Sequence, residues 1–164
     1  TMVFFGFFYA AVMLSYVWQL RQADGRAYLV WLVFIGSWGS DTCAYLVGRK
    51  LGKHKIVPKL SPKKSVEGCV GGMLGAAALG ALFAAVFSGE LAMLRQPVAA
   101  FAVMGAASSV ISQLGDWAAS AIKRNYDVKD YGRLIPGHGG VMDRFDSVIF
   151  TAPVIYYLAQ LVAA

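Results

Sequence analysis

The chain has 164 residues, of which 58% are hydrophobic and 15% are charged, with a formal net charge of +6 and a mean hydropathy of +0.57. This composition excludes an ordinary soluble domain and favours an integral membrane protein. Nothing in it indicates a nucleic-acid partner.

Five segments are apolar over about 20 residues, the length needed to cross a hydrocarbon core roughly 30 Å thick. We therefore predict one membrane domain, an all-α polytopic bundle with two polar functional loops at 48–65 and 123–142. The predicted transmembrane helices are residues 2–20, 27–47, 66–88, 97–122 and 143–164. The first lacks a basic leader and a cleavage site, so we expect it to be retained. Because the chain opens at Thr1, directly in apolar sequence, we expect further spans before it.

Small residues are frequent in the third span. Gly68 and Gly72, like Gly71 and Gly75, have the small-xxx-small spacing that permits close helix packing. The two cysteines, Cys43 and Cys69, lie within spans without metal-ligand spacing and are interpreted as packing residues.

Lysine and arginine are distributed asymmetrically over the loops. Two same-side regions, 48–65 and 123–144, hold twelve of the fifteen, whereas the other side has Arg21, Arg26 and Arg95. The positive-inside rule makes the rich side cytoplasmic, with the N-terminus of this chain inside and its C-terminus outside.

Four carboxylates from three predicted helices approach that cytoplasmic face: Asp41, Asp116, Asp143 and Asp146. Asp116 lies about 10 Å inside its predicted helix end, at 1.5 Å per residue. Isolated carboxylates at that depth are costly, so we expect lysine or arginine partners, or a divalent cation.

Helical spacing places Asp116, Ser120 and Lys123 on one face of the fourth span and puts Asp143 and Asp146 on one face of the fifth. Oxygen ligands without cysteine favour Mg²⁺, which usually retains substrate phosphates in its shell. Salt bridges between the aspartates and nearby cations are an equally simple interpretation of the same spacing, and both stay open here.

Two loops have features of phosphate-binding segments. Residues 136–140 cannot continue a helix and leave backbone N–H groups free just before the last span. Lys63 and Lys64 precede Ser65, a helix N-cap residue type, and are either phosphate ligands or topology determinants.

The chain resembles the phosphatidate cytidylyltransferases, also called CDP-diacylglycerol synthases, over roughly residues 40–146. Two patches and a short motif contribute: Ser40-Asp41-Thr42-x-Ala44-Tyr45-x2-Gly48-Arg49, Ser61-Pro62-Lys63-Lys64-Ser65-x-Glu67-Gly68 and Gln113-x-Gly115-Asp116. The longest match is Ser120-x2-Lys123-Arg124-x4-Lys129-Asp130-x-Gly132-x2-Ile135-Pro136-x-His138-Gly139-Gly140-x2-Asp143-Arg144-x-Asp146.

The resemblance implies an enzyme that transfers CMP from CTP to phosphatidic acid, giving CDP-diacylglycerol and pyrophosphate. It implies a Mg²⁺ cofactor, with a second metal or a monovalent cation as a further option, and a homodimer in the bacterial inner membrane with its site facing the cytoplasm. Members of the family carry additional N-terminal helices, so this chain resembles an N-terminally truncated member.

The resemblance assigns roles to individual residues. Its catalytic set is Asp116, Ser120, Lys123, Asp143 and Asp146, of which Asp116, Asp143 and Asp146 would bind metal. Its substrate-binding set is Asp41, Lys63, Lys64, Arg124, Lys129, Asp130, His138, Gly139, Gly140 and Arg144.

Three alternatives remain at this stage. A CTP-dependent polyprenol or phytol kinase shares the membrane setting but transfers the γ-phosphoryl group. A transporter would need carboxylates distributed across the membrane, whereas these cluster at one face. An inactive remnant would retain the fold without turnover. A CDP-alcohol phosphotransferase is disfavoured because its aspartate motif is absent.

Overall fold

The chain folds as an all-α bundle, as predicted. The computed structural model describes residues 4, 6–22, 27–57, 61, 64–92, 94–128, 130–132 and 140–162. Within these ranges the extended backbone is limited to one isolated antiparallel bridge, between Lys55 and Ser65.

The helices follow one another with short connections. A π-helical segment Phe7–Val12 leads into α1 (Met13–Gln22). The next helix begins with a 3₁₀ turn, Ala27–Leu29, and contains α2 (Val30–Phe34), a π-helical segment Ile35–Gly39 and α3 (Ser40–Leu51). The remaining helices are α4 (Val66–Val86), a 3₁₀ turn Ser88–Leu91, α5 (Pro97–Asn125) and α6 (Met142–Val162).

Three helices in the described part of the chain are long and apolar enough to cross a membrane: Ala27–Leu51, Val66–Val86 and Pro97–Asn125. The protein is therefore an integral membrane protein. Membrane crossings by residues 2–20 and 143–164 stay predictions.

Two of the three helices that can cross a membrane extend past the ends that hydropathy predicts. α3 continues to Leu51 rather than to residue 47, and α5 continues to Asn125 rather than to residue 122. Both last turns carry basic residues, which are favourable beside the negative end of the helix dipole. Lys123 consequently lies on the helix and not in the following loop.

Small residues on α4 allow the close packing that their spacing predicts. The buried face of α4 repeats every four residues: Gly68, Gly72, Ala76, Gly80 and Ala84. A Cβ atom at Gly72 would lie 3.0 Å from the Ser40 carbonyl oxygen of α3, and one at Gly80 would lie 2.5 Å from the Phe101 carbonyl oxygen of α5. The absence of these side chains brings α3 and α5 against α4.

The interior is divided into an apolar part and a polar part. Buried leucine, isoleucine, valine and phenylalanine side chains form one cluster, which includes Leu20, Leu32, Phe101 and Ile155. A second group of buried residues is polar: Ser37, Ser40, Ser108, Ser109, Ser112, Gln113, Asp146, Ser147 and Thr151.

Most of these polar groups have partners close in sequence. The Ser37 hydroxyl donates to the Val33 carbonyl oxygen at 2.7 Å, and the Thr151 hydroxyl donates to the Ser147 carbonyl oxygen at 2.8 Å. The Ser40 and Ser109 hydroxyls join α3 to α5 at 2.6 Å. Satisfied hydroxyls cost little to bury, so the bundle can hold a polar interior beneath its charged end.

Candidate active site

An ion pair between Lys64 and Asp116 joins the segment before α4 to α5. The two side chains are 24% and 26% exposed, and the Lys64 ammonium also lies 5.6 Å from the centre of the Trp117 ring. α4 begins at Val66, two residues after Lys64. Ser65 is its N-cap, and the Ser65 hydroxyl accepts a hydrogen bond from the Gly68 N–H at 3.2 Å. The N-cap role predicted for Ser65 is confirmed.

A second group of charges joins α5 to α6. The Lys123 ammonium lies 2.8 Å from Asp143 Oδ1 and 3.8 Å from Asp146 Oδ2. Lys123 and Asp143 are largely buried, with side chains 12% and 5% exposed. Asp143 and Asp146 share one face of α6, as their spacing predicts, and that face is turned toward Lys123.

Asp143 also organises the loop that precedes α6. Its Oδ2 accepts bonds from the Tyr131 N–H at 2.8 Å and from the Gly140 N–H at 3.0 Å. A Cβ atom at Gly140 would lie 2.8 Å from the Gly132 nitrogen, so the two ends of the loop approach too closely for a larger residue. One carboxylate therefore holds Tyr131 and Gly140 close together beside the start of α6.

Tyr131 adds a further contact to this loop. Its ring centre lies 5.2 Å from the Lys123 ammonium, and its hydroxyl donates to the Ala119 carbonyl oxygen at 3.3 Å. Partial burial raises the pKa of the Tyr131 phenol, so the hydroxyl stays protonated at neutral pH and remains a donor.

The two charged groups are near enough to influence one another. Asp41 of α3 and Asp116 of α5 line one cavity, and Asp146 Oδ2 of α6 lies 3.8 Å from the ammonium of Lys123, which stands on α5 with Asp116. Aspartates from three helices thus lie at the same end of the bundle, beside Lys64 and Lys123. The arrangement places carboxylates against two lysines, Lys64 and Lys123.

A cavity of about 610 Å³ opens between α3, α4 and α5, and we call it the α3–α5 cavity. Its charged and amide-bearing lining residues are Asp41, Arg49, Lys55, Lys64, Gln113 and Asp116. Three cations and two carboxylates on its walls suit a ligand that combines phosphates with a metal ion.

Other members of the predicted sites are peripheral. Arg124, Asp130 and Arg144 are exposed; Arg124 bonds the Val128 carbonyl oxygen at 3.3 Å, and the Arg144 carbonyl oxygen accepts from the Trp38 indole at 3.1 Å. Ser120 is half-buried on α5, between Asp116 and Lys123 in the sequence. Predictions for Lys63, Lys129, His138 and Gly139 fall outside the described residues.

The donor set has the chemistry that Mg²⁺ prefers, since aspartate oxygens dominate it. Within the described ranges no three acidic, histidine or cysteine side chains form a group that could hold a metal by themselves. Mg²⁺ is commonly bound by one or two carboxylates together with substrate phosphates, so an incomplete protein shell is compatible with it. The metal site at Asp116, Asp143 and Asp146 stays a prediction.

Two residues, Glu67 and Gln113, were not assigned a role from the sequence. The Glu67 carboxylate accepts from the Lys53 and His54 N–H groups at 3.1 and 3.3 Å and lies 2.6 Å from His54 Nδ1, which ties the chain after α3 to the start of α4. Gln113 lies against the cavity and was noted only as part of a motif. Its position within an apolar span is the signal that could have singled it out.

Comparisons with known proteins agree with the residue motifs. A family model described as the cytidylyltransferase family matches residues 1–162. The chain is 41% identical over 155 residues to the phosphatidate cytidylyltransferase of Bacillus subtilis (strain 168), covering 93% of this chain and 55% of that protein. It is 37% identical over 152 residues to the phosphatidate cytidylyltransferase of Staphylococcus haemolyticus (strain JCSC1435), covering 92% of this chain and 55% of that protein.

The chain spans about half the length of the curated relatives it matches. The family match nevertheless extends over nearly all of its residues and includes every helix described above. On that match, the chain belongs to the cytidylyltransferase family.

Proposed function

We propose that this chain contains the catalytic part of an enzyme that transfers CMP from CTP to phosphatidic acid. One observation carries the proposal: aspartates of α5 and α6 pair with two lysines at one end of the bundle, beside a cavity that Asp41 of α3 lines and that is large enough for a nucleotide. The names of the bacterial relatives point to the same reaction.

The reaction requires charge neutralisation and alignment more than covalent assistance from the protein. A phosphate oxygen of phosphatidic acid attacks the α-phosphorus of CTP, the bond to the β-phosphate bridging oxygen breaks, and pyrophosphate leaves with that electron pair. Lys64, Lys55 and Arg49 line the α3–α5 cavity and would contact the triphosphate. Lys123 would act between the carboxylates and the transferred phosphate.

Mg²⁺ belongs to this proposal, with Asp116, Asp143 and Asp146 as its protein ligands and a second metal or a monovalent cation as a further component. When bound, it would neutralise phosphate oxygens and orient them for in-line attack. Asp143 would have to exchange its bond to Lys123 for the metal while keeping the loop N–H groups on its other oxygen. Asp41 would orient the nearby cations.

The substrates define the expected setting. CTP is soluble and phosphatidic acid is a membrane lipid, so the charged end of the bundle would face the cytoplasm of a bacterial inner membrane. The excess of basic residues at this end supports that orientation. A homodimer is also part of the proposal, and crosslinking in native membranes tests it.

Labelled nucleotides separate this function from its nearest alternative. In proteoliposomes that contain phosphatidic acid, a polyprenol and Mg²⁺, the protein should move the label of α-labelled CTP into lipid and release the label of γ-labelled CTP in pyrophosphate. A lipid kinase would give the opposite distribution. Failure to label lipid from either nucleotide, with the fold intact, would exclude both reactions, while nucleotide-independent solute flux would favour a transporter.

A further inference from the structure

A buried glutamine at the α3–α5 cavity has one polar atom left for a ligand. Gln113 is 8% exposed and lines the cavity together with Cys69 and Asp116. Its amide nitrogen donates to the Cys69 carbonyl oxygen at 3.1 Å and to the Ser109 hydroxyl at 3.1 Å. Both amide hydrogens are therefore engaged, and no described residue donates to Oε1.

The orientation of this amide follows from the chemistry of its partners. A backbone carbonyl can only accept a hydrogen bond, so the group facing Cys69 must be the nitrogen of Gln113. The Ser109 hydroxyl is itself held by the Ser40 hydroxyl at 2.6 Å. The side chain thus presents a fixed acceptor and cannot rotate to present a donor without breaking two bonds.

We propose that Gln113 determines nucleotide specificity by accepting a hydrogen bond from the exocyclic amino group of the pyrimidine. An amino group at that ring position can donate to Oε1, whereas the carbonyl oxygen of a uracil would face it as a second acceptor. This inference rests on the proposed function, because it places the base of CTP in the α3–α5 cavity.

The location of Gln113 is consistent with that role. Gln113 precedes Asp116 by one helical turn on α5, so a base beside Gln113 would lie about 5 Å along the helix from the level of Asp116. The cations Lys64, Lys55 and Arg49 line the same cavity and remain available for phosphates. Base and phosphate recognition would therefore occupy different levels of one cavity.

Cys69 provides a binding assay that does not depend on turnover. Cys69 lines the cavity, whereas Cys43 packs against Gly75, where a Cβ atom would lie 2.4 Å from its sulfur. In a Cys43→Ala background, CTP with Mg²⁺ should slow alkylation of Cys69 by N-ethylmaleimide. UTP and N4,N4-dimethyl-CTP, which cannot donate to Gln113, should require at least about tenfold higher concentrations for the same protection.

Substitution at Gln113 should remove this preference. In Gln113→Leu, CTP and UTP should protect Cys69 at concentrations that agree within about twofold, because the discriminating acceptor is gone. Gln160→Leu, an equivalent change at an exposed site on α6, should retain the wild-type preference. Ser109→Ala, which removes one of the two anchors of the amide, should reduce the preference in the same direction and serves if Gln113→Leu does not fold.

The outcomes distinguish this inference from the proposed function. Equal protection by CTP and UTP in the wild type, or a retained preference in Gln113→Leu, overturns the specificity role. Turnover of CTP without protection of Cys69 also overturns it and leaves the proposed function standing. Selective protection by CTP without transfer of the α label supports the specificity role and refutes the transferase function.

Discussion

Replacing Asp143 with asparagine tests the link between the loop before α6 and the charged end of the bundle. The asparagine carbonyl can still accept from the Tyr131 and Gly140 N–H groups, but its NH₂ then faces the Lys123 ammonium. Removing one partner of a buried ion pair typically costs roughly 3–5 kcal/mol. The side chains here are 12% and 5% exposed, and Asp146 Oδ2 at 3.8 Å can approach Lys123 and compensate in part.

We therefore expect Asp143→Asn to lower the free energy of unfolding by about 2–3 kcal/mol. Denaturant titration in detergent measures this change. Transfer of the α label from CTP should be abolished in variant protein that remains folded, because the carboxylate is proposed both to bind Mg²⁺ and to hold the loop. Asp127→Asn is the matched control: Asp127 is exposed and has φ = 53°, a conformation that asparagine tolerates well.

Three results would contradict this reasoning. Unchanged stability would mean that the Lys123–Asp143 pair does not hold the loop. Undiminished turnover would exclude Asp143 as a metal ligand. Equal losses in Asp127→Asn would show that the effect of the amide is not specific to position 143.

Three further changes test separate parts of the structure. Lys64→Met should raise the KM for CTP by about tenfold with a smaller effect on kcat, because a partly exposed cation of the cavity is lost. Lys50→Met is the control. An unchanged KM in Lys64→Met would remove Lys64 from the nucleotide site. Ser65→Ala should lower the free energy of unfolding by about 1 kcal/mol through loss of the α4 N-cap. Denaturant titration would detect this decrease. An unchanged free energy of unfolding would argue against the cap. Gly80→Leu should prevent stable folding, because the Cβ atom of the new leucine would already lie 2.5 Å from the Phe101 carbonyl oxygen. The variant should aggregate after detergent extraction. A monodisperse, stable variant would contradict the close packing of α4 and α5.

Local sequence patterns were sufficient for the helices and for several individual roles. Hydropathy and length predicted five spans, and three of them coincide with helices long and apolar enough to cross a membrane, where each backbone polar group must be satisfied within its own segment. The spacing of small residues predicts the packing face of α4, and the residue type of Ser65 predicts its N-cap. Spacing along single helices also places Asp143 and Asp146 on one face.

Helix ends were less predictable than helix existence. Lys123 and Leu51 lie beyond the apolar segments, yet both belong to helices, because backbone hydrogen bonding continues as long as the last turn is favourable. Hydropathy reports solvation of side chains and contains no term for this continuation.

The sequence by itself predicted that four aspartates and many cations gather near one membrane face, from helix length and charge distribution. It could not decide which cation meets which carboxylate. The pairing of Lys64 with Asp116, 52 positions apart, and of Lys123 with Asp143 depends on how closely α4 and α6 approach α5. Only tertiary packing could fix the Gln113 amide at the cavity with no donor to its Oε1 among the described residues, because its two anchors come from different helices.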